Sequence, residues 1–134
     1  MGARSIAVVA AMLMGAVVFA ASREEAQARA QAWMSLVDNQ KYAESWAESS
    51  STFRSRVPQQ GWIDEAKRVR EPLGSVNSRR LVTVTFAKTL PGAPDGDYAV
   101  LQFRSSFTHK AAAIETITLV MDDGQLRAVG YFIK

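Results

Sequence analysis

The sequence predicts an α+β protein: three N-terminal helices packed on a curved four-stranded antiparallel meander. Three observations carry this. Apolar residues recur at helical spacing through the first half of the chain, and they alternate with a period of two through the second. The two halves do not interleave, so a parallel βαβ arrangement is excluded. The third observation is Asp123-Gly124 between the last two alternating runs, the favoured two-residue hairpin turn.

The elements follow in order. MGAR carries one positive charge, Ser5 to Phe19 is almost wholly apolar, and Ala20, Ala21 and Ser22 follow. This is the layout of a secretory signal, with cleavage expected after Ala20, so that residues 1–20 form the leader and 21–134 a single domain. The apolar run falls short of the roughly 20 residues that span a bilayer, although retention as an N-terminal anchor is the alternative fate. The chain has no cysteine. It therefore has no lipid-acceptor cysteine and no disulfides, which fits a periplasmic or secreted bacterial protein that is not a lipoprotein.

Ser22-Arg-Glu-Glu25 is a capping box, and Ala26, Ala30, Trp33 and Val37 share one face of the helix that follows. A second helix is expected from Lys41, with Tyr42, Trp46 and Phe53, and a third from Pro58 to Arg70, with Trp62, Ala66 and Val69. Pro72 and Gly74 stop it.

The strands are LVTVTF, YAVLQF, ETITLVM and LRAVGYFI. A tight turn at Asp123-Gly124 sets Met121 opposite Leu126, Leu119 opposite Ala128 and Ile117 opposite Gly130. Pairing Phe107 with Ile117, and Phe86 with Leu101, then creates one apolar face. It holds Val82, Val84, Phe86, Leu101, Phe103, Phe107, Ile117, Leu119, Met121, Leu126, Ala128 and Phe132. The stretch LPGAPDGDY, Leu90 to Tyr98, joins the first two strands, with Pro-Asp-Gly expected to make the bend.

In this register Ser78, Arg80, His109 and Glu115 break the apolar face at one end, with His109 directly opposite Glu115. A histidine–carboxylate pair is a general acid/base unit, with Arg80 as an anion anchor or as the counter-charge of Glu115. The structural alternative is a solvated cross-strand contact. Trp33, Trp46, Trp62 and Tyr42 line either the core or a pocket. The stretch from Arg54 to Arg80 is rich in arginine, but the formal net charge is only +3, which excludes the dense basic stripe of a nucleic-acid binder. With one histidine and no cysteine, no metal or other cofactor is expected.

Trp33 to Asp38, Tyr42 to Trp46, REPLG at Arg70 to Gly74, LPGAPDGDY, Phe107 to Lys110, Glu115-Thr116 and the closing GYFIK together resemble the small exported bacterial proteins grouped as domain of unknown function 4019. The resemblance implies a cystatin-like architecture, as in nuclear transport factor 2-like domains. That superfamily includes isomerases and dehydratases with a buried acidic base, and also non-catalytic binding modules. Two functions therefore fit the sequence. One is a non-catalytic envelope module for a small apolar or amphipathic ligand or another envelope protein. The other is a small acid/base enzyme using Glu115 and His109. The open face of the sheet, with Val100, Val120, Val129 and Tyr131, offers a homodimer surface, and the leader is the only expected membrane contact.

Overall fold

The computed structural model describes residues 21–134, so the expected leader lies outside the described residues. The α+β architecture is as predicted. Helices α1 (Arg23–Asp38), α2 (Tyr42–Ala47), α3 (Ser51–Arg56) and α4 (Gln59–Arg70) precede strands β1 (Val76–Ala87), β2 (Tyr98–Phe107), β3 (Lys110–Asp122) and β4 (Gln125–Ile133), and a 3-10 turn, Glu71–Leu73, links the two halves. The strands form a single antiparallel meander in the order β1-β2-β3-β4.

Local chemistry explains the helix boundaries. Ser22 caps α1 as expected, its hydroxyl accepting from the Glu25 N–H at 3.0 Å. Helix α1 ends in a Schellman motif: the Gln40 N–H donates to Val37 O and the Lys41 N–H to Leu36 O. Gln40 stands at φ 61°, where glycine usually sits. The expected second helix is present as two turns, α2 and α3. It breaks because the Ser50 N–H turns away to donate to Ala128 O in β4 at 2.8 Å. The Ser50 hydroxyl then caps α3 by accepting from the Phe53 N–H.

The core lies between α1, α2, α4 and the sheet, around Met34, Val37, Leu101, Phe103, Ile117 and Leu119, all at most 1 % exposed. Trp33 and Trp62 belong to it, and each indole N–H is satisfied within the helical layer. Trp33 donates to Ser45 O and Ser49 Oγ, and Trp62 to Ser45 Oγ. Half-buried Trp46 donates to Val57 O at 2.7 Å. A buried indole needs such an acceptor, and Ser45 of α2 with Ser49 just beyond it supplies most of them.

The register differs from expectation in three places. Strands β2 and β3 turn tightly at Thr108-His109, so Phe107 pairs with Lys110 and Phe103 with Glu115, not with Met121. The AAAI segment is strand rather than turn. In β1–β2, Val84 pairs with Leu101 and Phe86 with Ala99, two residues from the expected pairing. Apart from Phe107, which an irregularity between Ser105 and Phe107 sets off by one residue, these shifts are even and keep the inward residues of β2 and β3 inward. Two bulges do not. Val82 is an extra residue in β1 and Val129 in β4, and each flips the parity of its strand. As a result Phe132 is 53 % exposed and Val82 41 %, while Leu81 and Tyr131 pack against the core. Tyr131 is therefore not part of an open-face stripe with Val100 and Val120.

The bend between β1 and β2 is made by Pro91-Gly92, with Gly92 at φ 74° and Ala93 N–H donating to Leu90 O, and not by Pro94-Asp95-Gly96. Gly96 N–H donates to Lys88 O, the Tyr98 hydroxyl to Pro94 O, and Lys88 pairs with Asp97. The loop closes on itself, as a joint between strands does.

Candidate functional site

The bulges have a chemical consequence. With Val82 extra, Arg79 rather than Arg80 turns toward the helices, and with Val129 extra, Tyr131 does so in place of Phe132. Both meet Glu115, which is fully buried. Arg79 donates to Glu115 through Nε (2.7 Å to Oε1) and Nη2 (3.1 Å to Oε2). The Ser105 hydroxyl donates to Oε1 and the Tyr131 hydroxyl to Oε2. Each carboxylate oxygen thus accepts two hydrogen bonds, which fills its lone-pair capacity.

The far side of the Arg79 fork grips Asp38, the last residue of α1, through Nη1 at 2.7 Å and Nη2 at 2.9 Å. Arg70, the last residue of α4, adds Nη2 to Asp38 Oδ1 at 2.7 Å, and its guanidinium lies 4.9 Å from the Phe107 ring centre. Two carboxylates and two guanidiniums therefore balance, and α1, α4 and all four strands each contribute a member. Burial pulls the Asp38 carboxyl upward, but the hydrogen bonds from Arg79 and Arg70 prevail and hold it below its usual range. Burial first, and then the Glu115 charge, push the Tyr131 hydroxyl well above the ordinary tyrosine range, so it remains a donor at neutral pH.

The proposed histidine–carboxylate pair is not formed. His109 is exposed in the β2–β3 turn, six residues before Glu115, which pairs with Phe103 roughly 20 Å along the strand. Its backbone N–H donates to Leu73 O, and Thr108 N–H to Ser75 O, which seats the turn on the Glu71–Ser75 segment. Arg80 and Ser78 are exposed. Of the residues singled out from sequence, only Glu115 is in the cluster. Arg79, Asp38, Arg70, Ser105 and Tyr131 were missed. The available signal was that Leu81 and Tyr131, both good core residues, were left on the wet face by a bulge-free register.

Among the described residues, two clefts open between the helices and the sheet, and a third opens at the ends of α1 and α4 beside the Glu71–Ser75 segment. The widest, about 380 Å³, has a floor of Trp33, Leu119 and Ala128 and a rim of Arg29, Glu44, Glu48 and Arg127. A smaller apolar cleft of about 140 Å³ lies among Trp62, Ala66, Val69, Tyr131 and Ile133. A polar one of about 170 Å³ is walled by Asp38, Gln40, Tyr42, Glu71, Gly74 and Ser75. Glu115 lines none of them. Among the described residues no group of three or more His, Cys, Asp or Glu is placed to hold a metal ion.

Fold and cluster together define a small α+β domain whose helical layer is fastened to its sheet by a buried, charge-balanced network. The chain belongs to the family described as protein of unknown function DUF4019, which matches residues 29–131. No curated protein matches it. Among the described residues no helix is long and apolar enough to cross a membrane.

Proposed function

We propose that the protein is a non-catalytic binding module of the bacterial cell envelope, holding a small apolar or amphipathic ligand between its helical layer and its sheet. The observation that carries this reading is the saturation of Glu115. A general base needs a free lone pair and access to substrate. Glu115 has four donors on its two oxygens and no cleft wall. Its charge serves the fold. The clefts, by contrast, have the mixed lining that small-molecule sites have, and the widest falls in the usual size range. The leader-like N-terminus supports the envelope location, and the helix-on-meander layout supports kinship with cystatin-like domains, many of which bind without catalysis.

Native mass spectrometry of the exported protein, purified without detergent, tests this. The expected spectrum shows chains lacking residues 1–20 and a small molecule that leaves on denaturation. The same spectrum reports the number of subunits. Chains that are bare in every preparation would count against ligand binding. An acid/base activity that survives purification and is lost in Glu115→Gln would overturn the non-catalytic reading.

A further inference from the structure

The two bulges also decide what stands on the sheet face turned away from the helices. Arg80 pairs directly with Arg104 across β1 and β2. Their chain neighbours Arg79, Leu81, Phe103 and Ser105 face the helical layer, so both guanidinium side chains lie on the outer face, and both residues are exposed. Like charges set directly opposite on adjacent strands are destabilising. Among the described residues neither arginine has an ion-pair partner. The face itself offers none: from the Ser78–Ser106 pair to the row that ends at Gly130, no outward position is acidic. One row from the arginines lie Gln102 and Thr116. At that level exposed apolar side chains mark both sheet edges, Val82 on β1 at 41 % and Phe132 on β4 at 53 %. Three strand spacings, about 14 Å, separate the two edges.

Resting on the envelope location inferred above, we propose that this outer face docks the domain on the surface of a bilayer containing anionic phospholipid. Arg80 and Arg104 meet the phosphate headgroups, while Phe132 and Val82 enter the interfacial zone beside them. Charge complementarity selects the occupant. A second copy packed face to face would bring four arginines together with no carboxylate between them, whereas phosphates relieve the repulsion that the free protein carries. Shape separates a lipid surface from an acidic protein. Protein partners anchor side chains in pockets, and the three clefts described above are lined by none of Arg80, Arg104, Gln102 and Thr116. A leaflet needs only accessible charge and accessible apolar side chains, and this face supplies both. Each arginine at an anionic surface contributes about fivefold in affinity, and the pair about thirtyfold, so the contact is weak and reversible.

The test is co-sedimentation of the exported protein with vesicles of phosphatidylcholine alone and of phosphatidylcholine mixed equally with phosphatidylglycerol. Binding is expected to favour the mixed vesicles and to lose that preference in about 1 M salt, where charges are screened within about 3 Å. Arg80→Gln with Arg104→Gln should weaken binding to the mixed vesicles about thirtyfold. Phe132→Ser should weaken it several-fold. Arg56→Gln with Lys67→Gln removes the same charge from exposed positions of α3 and α4 and should leave binding within about twofold. A leader, where retained, contributes equally to every variant. The arginine variant should keep its thermal midpoint or raise it slightly, since a repulsive pair is removed. Equal binding to both vesicles, no loss in the arginine variant, or an equal loss in the helical-layer control would overturn the proposal. So would a dimer in the native spectrum that Phe132→Asp dissociates, or polyglutamate bound as tightly as the mixed vesicles. None of these outcomes bears on the molecule retained in the native spectrum, so this surface and the binding-module reading fail separately.

Discussion

Arg79 is the residue on which the buried network turns, since it alone touches both carboxylates. Removing one member of a buried ion cluster leaves the others uncompensated, so Arg79→Ala is expected to cost about 3–5 kcal/mol in urea unfolding. Arg80→Ala, one position along but exposed, should change stability by less than about 0.5 kcal/mol. The contrast between neighbours is the sharpest check of the Val82 bulge. Asp38 sets a pH dependence. Its carboxyl is held below its ordinary value of 3.8 in the folded state, so its contribution is fully present above that pH and fades as the pH falls through the lower folded value. Asp38→Asn should therefore be strongly destabilised at pH 7, with the gap to wild type narrowing below about pH 4. Tryptophan fluorescence at a series of pH values would measure this. A gap that stays constant into acid would show that Asp38 acts through packing alone. None of this was legible from sequence, because adjacent arginines look alike until the strand parity is known.

Two backbone positions show how elements are held. Gln40 occupies a left-handed position at the end of α1, which costs an L-residue about 1–2 kcal/mol relative to glycine. After the greater unfolded-state freedom of glycine is set against this, Gln40→Gly should still stabilise the fold by up to about 1 kcal/mol. Gly74 is the opposite case. At φ 73°, an added Cβ would lie 3.0 Å from both His109 Cδ2 and Thr108 Cβ, against the turn that Leu73 and Ser75 hold by backbone hydrogen bonds. Gly74→Ala should lower stability by about 1–3 kcal/mol and loosen that turn, seen as faster amide exchange at Thr108 and His109. The starts of α1, α2 and α4, the order of strands and the Asp123-Gly124 turn were readable, because caps, periodicity and left-handed turn residues are local signals. Asp123 and Gly124 do stand at φ 52° and 78°. The bulges were not readable. An extra residue leaves no compositional mark, and a register built on strict alternation absorbs the error by exposing Leu81 and Tyr131.

At the scale of the whole molecule, the sequence was sufficient for the α+β class and its family, and insufficient for the site. Core-forming patterns repeat along the chain, whereas the site is assembled from α1, α4 and four strands and depends on parity at two bulges. A domain stitched together in this way should unfold as one unit, with fluorescence and far-ultraviolet circular dichroism transitions coinciding in urea. Separate transitions would show that the helical layer can leave the sheet independently. The tie between layers also bears on how the fold is reached. Strand β4 brings the Tyr131 donor to Glu115, the Ala128 carbonyl to Ser50 and the tyrosine ring to within 5.3 Å of Trp33. The first lies within the β3–β4 hairpin, but the other two join segments far apart in the chain, and such closures form late and slowly. A nascent polypeptide that has made everything except β4 holds a carboxylate short of one donor and an uncovered indole, and is thus still loose. Tight packing of the two layers therefore waits for β4.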